Sequence, residues 1–390
     1  MISSPRRARL RLGIAIGCVF AFAFVYKLSS ESSWHLINDS SGSKAPANAT
    51  LGFGGIYVVS GSGSERLDNL EQAAAVTELN LTIPTQKEWT DADVLNFRWK
   101  KAPQKSKIGA GSIKSWLSHR LVLQEFLDSG LETALIIEDD VDWDIRLRSQ
   151  QIPLTQRAAR DLLDPRSKSP KKYPWGEPHS WDVLWLGHCG DYWNEIDLGV
   201  GVGHHHPEQL NRMPHAIWPD ETVSYFTNLH PYTASLLSAL RVPEKHRVLH
   251  KSMQPLCSFG YAVTRTAAEK LLSSVVPARE EDLPEPPAYA YDQAMMFGCF
   301  QLVIRCYSLQ PELFHHMLGE SLVGKSEEHH WLSPVDVAGS EQLLYRGETS
   351  NIDCGFWSGN FWWNGDEKKL DFLRREVGRK GRCLKPGRDT

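Results

Sequence analysis

An apolar strand that runs straight into acid constrains this chain more than any other feature. Ala134-Leu135-Ile136-Ile137 lead into Glu138-Asp139-Asp140-Val141-Asp142-Trp143-Asp144, which places five carboxylates within seven positions. Carboxylates so close repel one another unless a cation or solvent relieves them. In an α/β sheet the carboxyl end of a strand is where ligands bind. Mg²⁺ or Mn²⁺ takes oxygen ligands and needs few protein carboxylates when a diphosphate supplies the rest. An EF-hand starting at Asp140 would need glycine at Ile145 and glutamate at Gln151, and fails. A D-x-D-x-T/V phosphatase motif would need Thr or Val where Asp144 stands, and fails too. The plain alternative is a solvated acidic turn.

Around this cluster strand and helix patterns alternate. Ile56-Tyr57-Val58-Val59 reads as a short strand, Gly61-Ser62-Gly63-Ser64 as a loop, and Arg66 opens a helical stretch to about Leu79. Strand, small-residue loop and helix make the usual entry of a nucleotide-binding unit, although neither G-x-G-x-x-G nor a P-loop is present. Apolar residues Ile113, Trp116, Leu117, Leu121, Leu123 and Leu127 predict a helix over residues 113–128, with Gly130 at the C-cap position. Ser118 and His119 are adjacent on it, so they point about 100° apart and cannot act as a nucleophile–base pair. His119 reads as a packing or hydrogen-bonding residue.

The 43 basic and 47 acidic residues leave a net charge of -4, which disfavours nucleic acid as a partner. Arg6, Arg7, Arg9 and Arg11 precede an uncharged stretch closed by Lys27. With Arg11 and Lys27 snorkelling, residues 10–28 span roughly 28 Å at about 1.5 Å per residue, enough for a thin early-secretory bilayer. The basic flank places the N-terminus in the cytosol and the body in the lumen. A cleaved signal peptide is the alternative, without a clean A-x-A site to support it. Sequons at Asn38, Asn48 and Asn80 agree with a lumenal body. Cys18 lies in the span; the other six cysteines allow 15 pairings, among which the sequence does not choose. The expected organisation is a cytosolic tail (1–11), a transmembrane anchor (12–28), a stem (29–51), a catalytic domain (52–332) and a C-terminal extension (333–390).

Five blocks in order resemble glycosyltransferase family 25, which includes lipopolysaccharide-type glycosyltransferases and collagen galactosyltransferases. They are the opening strand followed by Arg66, the Ser118-His119 helix, Glu138-Asp139-Asp140, Trp181-Asp182-Val183-Leu184-Trp185-Leu186-Gly187, and the strand–turn–helix block over residues 258–272. Tyr291-Asp292-Gln293 is similar to a further block, lacking its proline. The resemblance covers residues 55–323. It implies an α/β, GT-A-like nucleotide-sugar-binding fold and inverting, metal-assisted transfer of a hexose, galactose first, from a UDP-sugar to a glycan or glycoprotein. The implied cofactor is Mn²⁺ (or Mg²⁺) and the implied setting is the Golgi or endoplasmic reticulum membrane. By correspondence, Asp140 would hold metal, and Glu138 and Asp139 would lie near ribose and sugar. Arg66 would lie near the nucleotide. Ser60-Gly61 replaces the Asn-Leu pair usual in that family.

Two inserts, residues 164–179 and 199–231, are expected to enlarge the acceptor side. His188, just past a strand end, is a donor-site candidate. Asp292 and Asp191 are candidates for the base that an inverting transfer needs. Consecutive His204-His205-His206 seldom close one metal shell. His315-His316 and His329-His330 are candidates for a late metal ligand. Trp357, Trp362 and Trp363 read as local core, and Arg379, Lys380, Arg382, Lys385 and Arg388 as a solvated basic tail. Asp144 is expected to matter much less than Asp140. The rival functions are a catalytically inactive glycan-binding module and a lumenal metal-dependent phosphodiesterase or phosphatase.

Overall fold

The computed structural model describes residues 45–317 and 345–388. Among them no helix is long and apolar enough to cross a membrane. The expected anchor at 12–28, Asn38 and His329-His330 lie outside the described residues. In chain order the strands are β1 Gly55–Val59, β2 Leu81–Thr82, β3 Thr133–Glu138, β4 Val141–Trp143, β5 Val183–Gly187, β6 Gly190–Asp191, β7 His215–Pro219, β8 His246–Lys251, β9 Pro255–Leu256, β10 Gly260–Thr264, β11 Cys306–Gln310 and β12 Phe314–His316. The longer helices are α1 Arg66–Thr77, α2 Asp91–Phe97, α3 Ala110–Asp128, α4 Ile152–Leu163, α5 Pro231–Ala239, α6 Tyr291–Phe300 and α7 Glu367–Leu373.

The protein is a mixed α/β protein built on an eight-stranded sheet of order β2-β1-β3-β10-β5-β11-β8-β7. β1 runs parallel to β2 and β3, whereas β10 is antiparallel to both β3 and β5. β11 is parallel to β5 and antiparallel to β8. The carboxyl ends of β1, β3, β5 and β11 therefore share one edge of the sheet with the start of β10.

The central strands are apolar at nearly every position because both sheet faces are covered. Ile56, Val58, Leu135 and Ile137 pack on one side with α1 and the C-terminal segment. Tyr57, Val59, Ala134 and Ile136 pack on the other with α2, α3 and α6. A smaller core around Trp193, Leu210, Leu236 and Leu237 closes the β7–β8 end. Where β12 crosses β5 and β10 there is no room for side chains. A Cβ on Gly187 would meet Phe314 Cβ at 2.9 Å and Gly260 Cα at 3.0 Å.

Three expectations change. Residues 47–51, assigned to the stem, belong to the folded body: Leu51 is fully buried and the Ala47 amide donates to the Arg148 carbonyl at 2.9 Å. The insert at 164–179 does not enlarge the acceptor side. Its Trp175 stacks on Phe53 at 4.8 Å and Tyr173 donates to Glu132, both just ahead of β1 and β3, so it lies at the opposite edge from the acidic cluster. The basic tail is ion-paired rather than merely solvated. Lys385 is buried on Glu348 at 2.9 Å, Arg388 reaches Glu348 and Asp353, and Arg379 binds Glu78.

The six cysteines expected in the lumen pair as Cys189–Cys257, Cys299–Cys306 and Cys354–Cys383. Such bridges persist in oxidising compartments. Asn48 and Asn80 are both exposed. Asn48 sits in a turn, its Oδ1 accepting from the Gly52 amide at 2.6 Å and from the Thr50 hydroxyl at 3.3 Å.

Candidate functional site

The acidic turn closes the carboxyl end of β3, and the edge arrangement brings four other segments to it. From β1, the Ser60 hydroxyl donates to Asp139 Oδ2 at 2.5 Å. From the first turn of α1, Arg66 donates to Asp140 Oδ2 at 2.7 Å and lies 3.7 Å from Asp139 Oδ1. From the loop before β10, the Ser258 hydroxyl donates to Glu138 Oε1 at 3.0 Å. From β12, His316 is in register with Val141, and the Met317 amide donates to the Asp140 carbonyl at 2.7 Å.

Asp140 carries the sharpest electrostatic conflict. Burial, followed by the charges of Glu138 and Asp139, pushes its carboxyl up to about 7, with Arg66 pulling the other way. Its Oδ1 is buried without a hydrogen-bond partner. A buried carboxylate oxygen left bare beside two more acids is disfavoured in its charged form. Glu138 is held below the usual range. Burial acts to raise it, but the hydrogen bond and charge of His119, with Ser258 and His316, outweigh that.

Asp292 lies at the start of α6. Its Oδ2 accepts from the Cys257 amide at 2.8 Å and its Oδ1 from the Gln293 amide at 2.9 Å. Burial raises its pKa against those two bonds, and the Glu138 charge adds to the rise. Cys257 precedes Ser258, so the Cys189–Cys257 bridge braces the loop that touches both Asp292 and Glu138.

Two candidates are not brought to this corner. Asp191 is fully buried, and its carboxylate is consumed by the Met253 and Gln254 amides at 2.6–3.1 Å. It folds the turn before β9, and no acceptor hydroxyl reaches it. His188 is 1% exposed and hydrogen-bonds the Leu309 carbonyl at 3.0 Å, inside the sheet edge rather than on a cleft surface. His205 is buried against Glu195 at 2.8 Å while His204 and His206 are exposed, so the three do not form one shell. Trp363 packs against the core and Trp357 and Trp362 are half-buried, in line with a local core.

Asp142 and Asp144 belong to the fold, not to the ligand. Asp142 accepts from Thr349 and from the Phe356 and Trp357 amides. Asp144 binds Arg146 through both oxygens and takes the Cys354 amide at 2.9 Å. Alternation does not separate them from Asp140, which has the same parity along the chain, so the face carrying Asp142 and Asp144 was not marked as structural. Nothing in the sequence showed that a segment two hundred residues later would cover it. Among the described residues, the one group of three potential metal donors within 4.8 Å of one another is Glu348, Cys354 and Cys383, whose cysteines are bridged and cannot ligate.

Three imidazoles line up from β12: His316 stacks on His315 with ring centroids 5.4 Å apart, and the His315 ring lies 6.2 Å from that of His230. His315 is hydrogen-bonded to Glu312, which also accepts from Asn351 at 2.6 Å. Desolvation, then the charge of His315, lowers His230 from 6.5 to about 4. The unfolded chain therefore binds a proton that the folded chain refuses between these values. That contribution to stability is complete above pH 6.5 and is lost as pH falls toward 4. His230 keeps some exposure, so the loss is on the order of 1–2 kcal/mol. Thermal unfolding of His230→Asn is expected to vary less between pH 7 and 5 than that of the wild type; parallel curves would exclude His230 as the source.

No protein-family model matches the chain, and no curated protein matches it. One similar solved structure is titled "Crystal Structure of A197 from STIV". It is 11% identical, covers 70% of this chain and 98% of its own, and superposes with a TM-score of 0.28. A likeness that weak carries no argument about fold or activity.

Proposed function

We propose that this protein is a lumenal, metal-assisted hexosyltransferase of the GT-A type, anchored by residues 12–28 in a Golgi or endoplasmic reticulum membrane. The observation that carries the reading is the convergence of Glu138, Asp139 and Asp140 with Arg66 and Asp292 at the carboxyl edge of a mixed sheet. The three disulfides and the two exposed sequons support a secretory setting.

The residues present fit a divalent ion. Asp140 offers a buried, unpartnered oxygen, and its elevated pKa marks a site short of positive charge. Asp140 would hold Mn²⁺ or Mg²⁺, with a substrate diphosphate supplying further oxygen ligands. When bound, the ion neutralises the departing diphosphate, where negative charge grows in the transition state. Arg66 contributes a fixed positive charge on the same flank. Ser60 holds Asp139 in place and ties the first loop to the acidic turn. Glu138 and Asp139 accept from donor hydroxyls. Asp292, raised by burial, accepts the proton of the acceptor hydroxyl as the new bond forms.

The deciding experiment screens full-length protein against UDP- and GDP-sugars with Mn²⁺, with and without glycan acceptors. Transfer that requires acceptor supports the reading. Equal donor hydrolysis without acceptor indicates a phosphodiesterase, and glycan binding without donor turnover indicates an inactive glycan-binding module. Topology is tested separately: glycosidase treatment of the secretory-expressed protein is expected to shift its mobility through glycans on Asn48 or Asn80. An unshifted band with the body open to cytosolic protease would overturn the orientation.

A further inference from the structure

Beneath the acidic turn lies a polar layer that the proposed chemistry does not use. His119 is fully buried within α3. Its Nε2 is 3.3 Å from Glu138 Oε1 and 3.3 Å from the Ser258 hydroxyl. Its Nδ1 is 3.3 Å from the Tyr261 hydroxyl, which is 2.9 Å from the Tyr291 hydroxyl. The imidazole stacks on the Tyr291 ring, with centroids 4.3 Å apart and planes 12° from parallel. With its Nε2 protonated, His119 donates to Glu138 Oε1, and the Ser258 hydroxyl donates to the same carboxylate oxygen, while the Tyr261 and Tyr291 hydroxyls continue the chain from Nδ1.

We infer that His119 is a positioning residue that aims Glu138 at a hydroxyl of the nucleotide-sugar donor. The inference rests on the nucleotide-sugar reading of this corner. Both side-chain bonds fall on Oε1, and the Glu138 side chain is still 29% exposed, so the carboxylate keeps acceptor capacity facing outward. Tyr291 and Tyr261 fix the ring from behind, which removes the rotational freedom the carboxylate would otherwise have to lose on binding. A preorganised acceptor of this kind binds more tightly than a free one of the same chemistry. Tyr291 also precedes Asp292, so one buried layer sets both carboxylates that face the donor and acceptor sides. His119 touches neither reactant and acts only through Glu138.

Two amide substitutions separate positioning from packing. His119→Gln places its NH₂ near the former Nε2 and keeps a donor for Glu138. His119→Asn reaches only the former Nδ1 and loses that donor. Both discard the stack on Tyr291, so both should lower the unfolding temperature by similar amounts. The probes are UDP titrated calorimetrically in the presence of Mn²⁺, and turnover of UDP-galactose by the full-length protein. The Asn variant is expected to weaken binding and raise donor KM by roughly tenfold or more, with the Gln variant within about threefold of wild type. kcat at saturating donor should change less than KM. Equal weakening in both variants, in step with their lost stability, would make His119 merely structural and overturn the inference. Wild-type binding by the Asn variant would overturn it as well while leaving the nucleotide-sugar reading intact. If the wild type binds neither UDP nor GDP, the nucleotide-sugar reading itself fails, and the inference falls with it.

Discussion

Asp140→Asn is expected to lower turnover at least a hundredfold, about 3 kcal/mol of transition-state stabilisation, while leaving the protein folded. The substitution keeps shape and volume and removes the charge that would hold a cation. Its effect on stability runs the opposite way. A carboxyl raised from 3.8 to about 7 disfavours folding fully once it is ionised above pH 7, and that penalty shrinks as pH falls from 7 and is gone only below 3.8. At pH 8 with chelator present, the Asn variant should therefore be more stable than wild type by on the order of 1 kcal/mol, the lost bond to Arg66 offsetting part of the gain. Calorimetric unfolding temperatures and turnover at saturating donor check both halves. Near-wild-type turnover in the variant would remove this cluster from catalysis. A large loss of stability would mean that Arg66 and Asp140 form a structural pair.

The elements were legible where local pattern is strong. The β1 strand, the helix opening at Arg66, the helix ending before Gly130, and the strand entering Glu138 all sit within about three residues of their expected bounds. Residues that meet the ligand edge directly after a strand, such as Asp140, were legible for the same reason. What remained hidden depends on distant chain. His119 read as an isolated packing residue because its partners, Tyr261 and Tyr291, lie 142 and 172 residues away. Ser60 read only as a departure from a family pattern, although it anchors Asp139 from 79 residues away. Asp191 looked catalytic because an acid after a strand end is ambiguous. Whether it faces a cleft or caps a turn depends on where Met253 and Gln254 pass.

The C-terminal extension was the part least legible, and it sets the largest expected effect on stability. Asp142 is 1% exposed and receives four donors. Oδ1 takes the Phe356 amide at 2.7 Å and the Trp143 amide at 2.9 Å; Oδ2 takes Thr349 at 2.7 Å and the Trp357 amide at 3.2 Å. Burial raises its pKa even against these bonds. No side chain can intervene: a Cβ on Gly355 would come within 2.2 Å of Asp142 Oδ2. Asp142→Ala would strand those donors in the interior, at a cost of about 3–5 kcal/mol. The Cys354–Cys383 bridge cannot compensate, since both its ends lie in the segment being released. Limited proteolysis should then cut within residues 345–388 while the rest of the described body resists. Asp142→Asn keeps one acceptor oxygen and should lose about half as much. Asp144 is anchored in the same way by Arg146 and Cys354, so Asp144→Asn is no neutral control for Asp140; it too should lower the unfolding temperature. If instead Asp142→Ala unfolds at the wild-type temperature with the C-terminal segment still protected, other ties suffice to hold the segment, among them Cys354 to Asp144, Asn351 to Glu312, Asp353 to Arg146, Trp363 to Gln72 and Arg379 to Glu78.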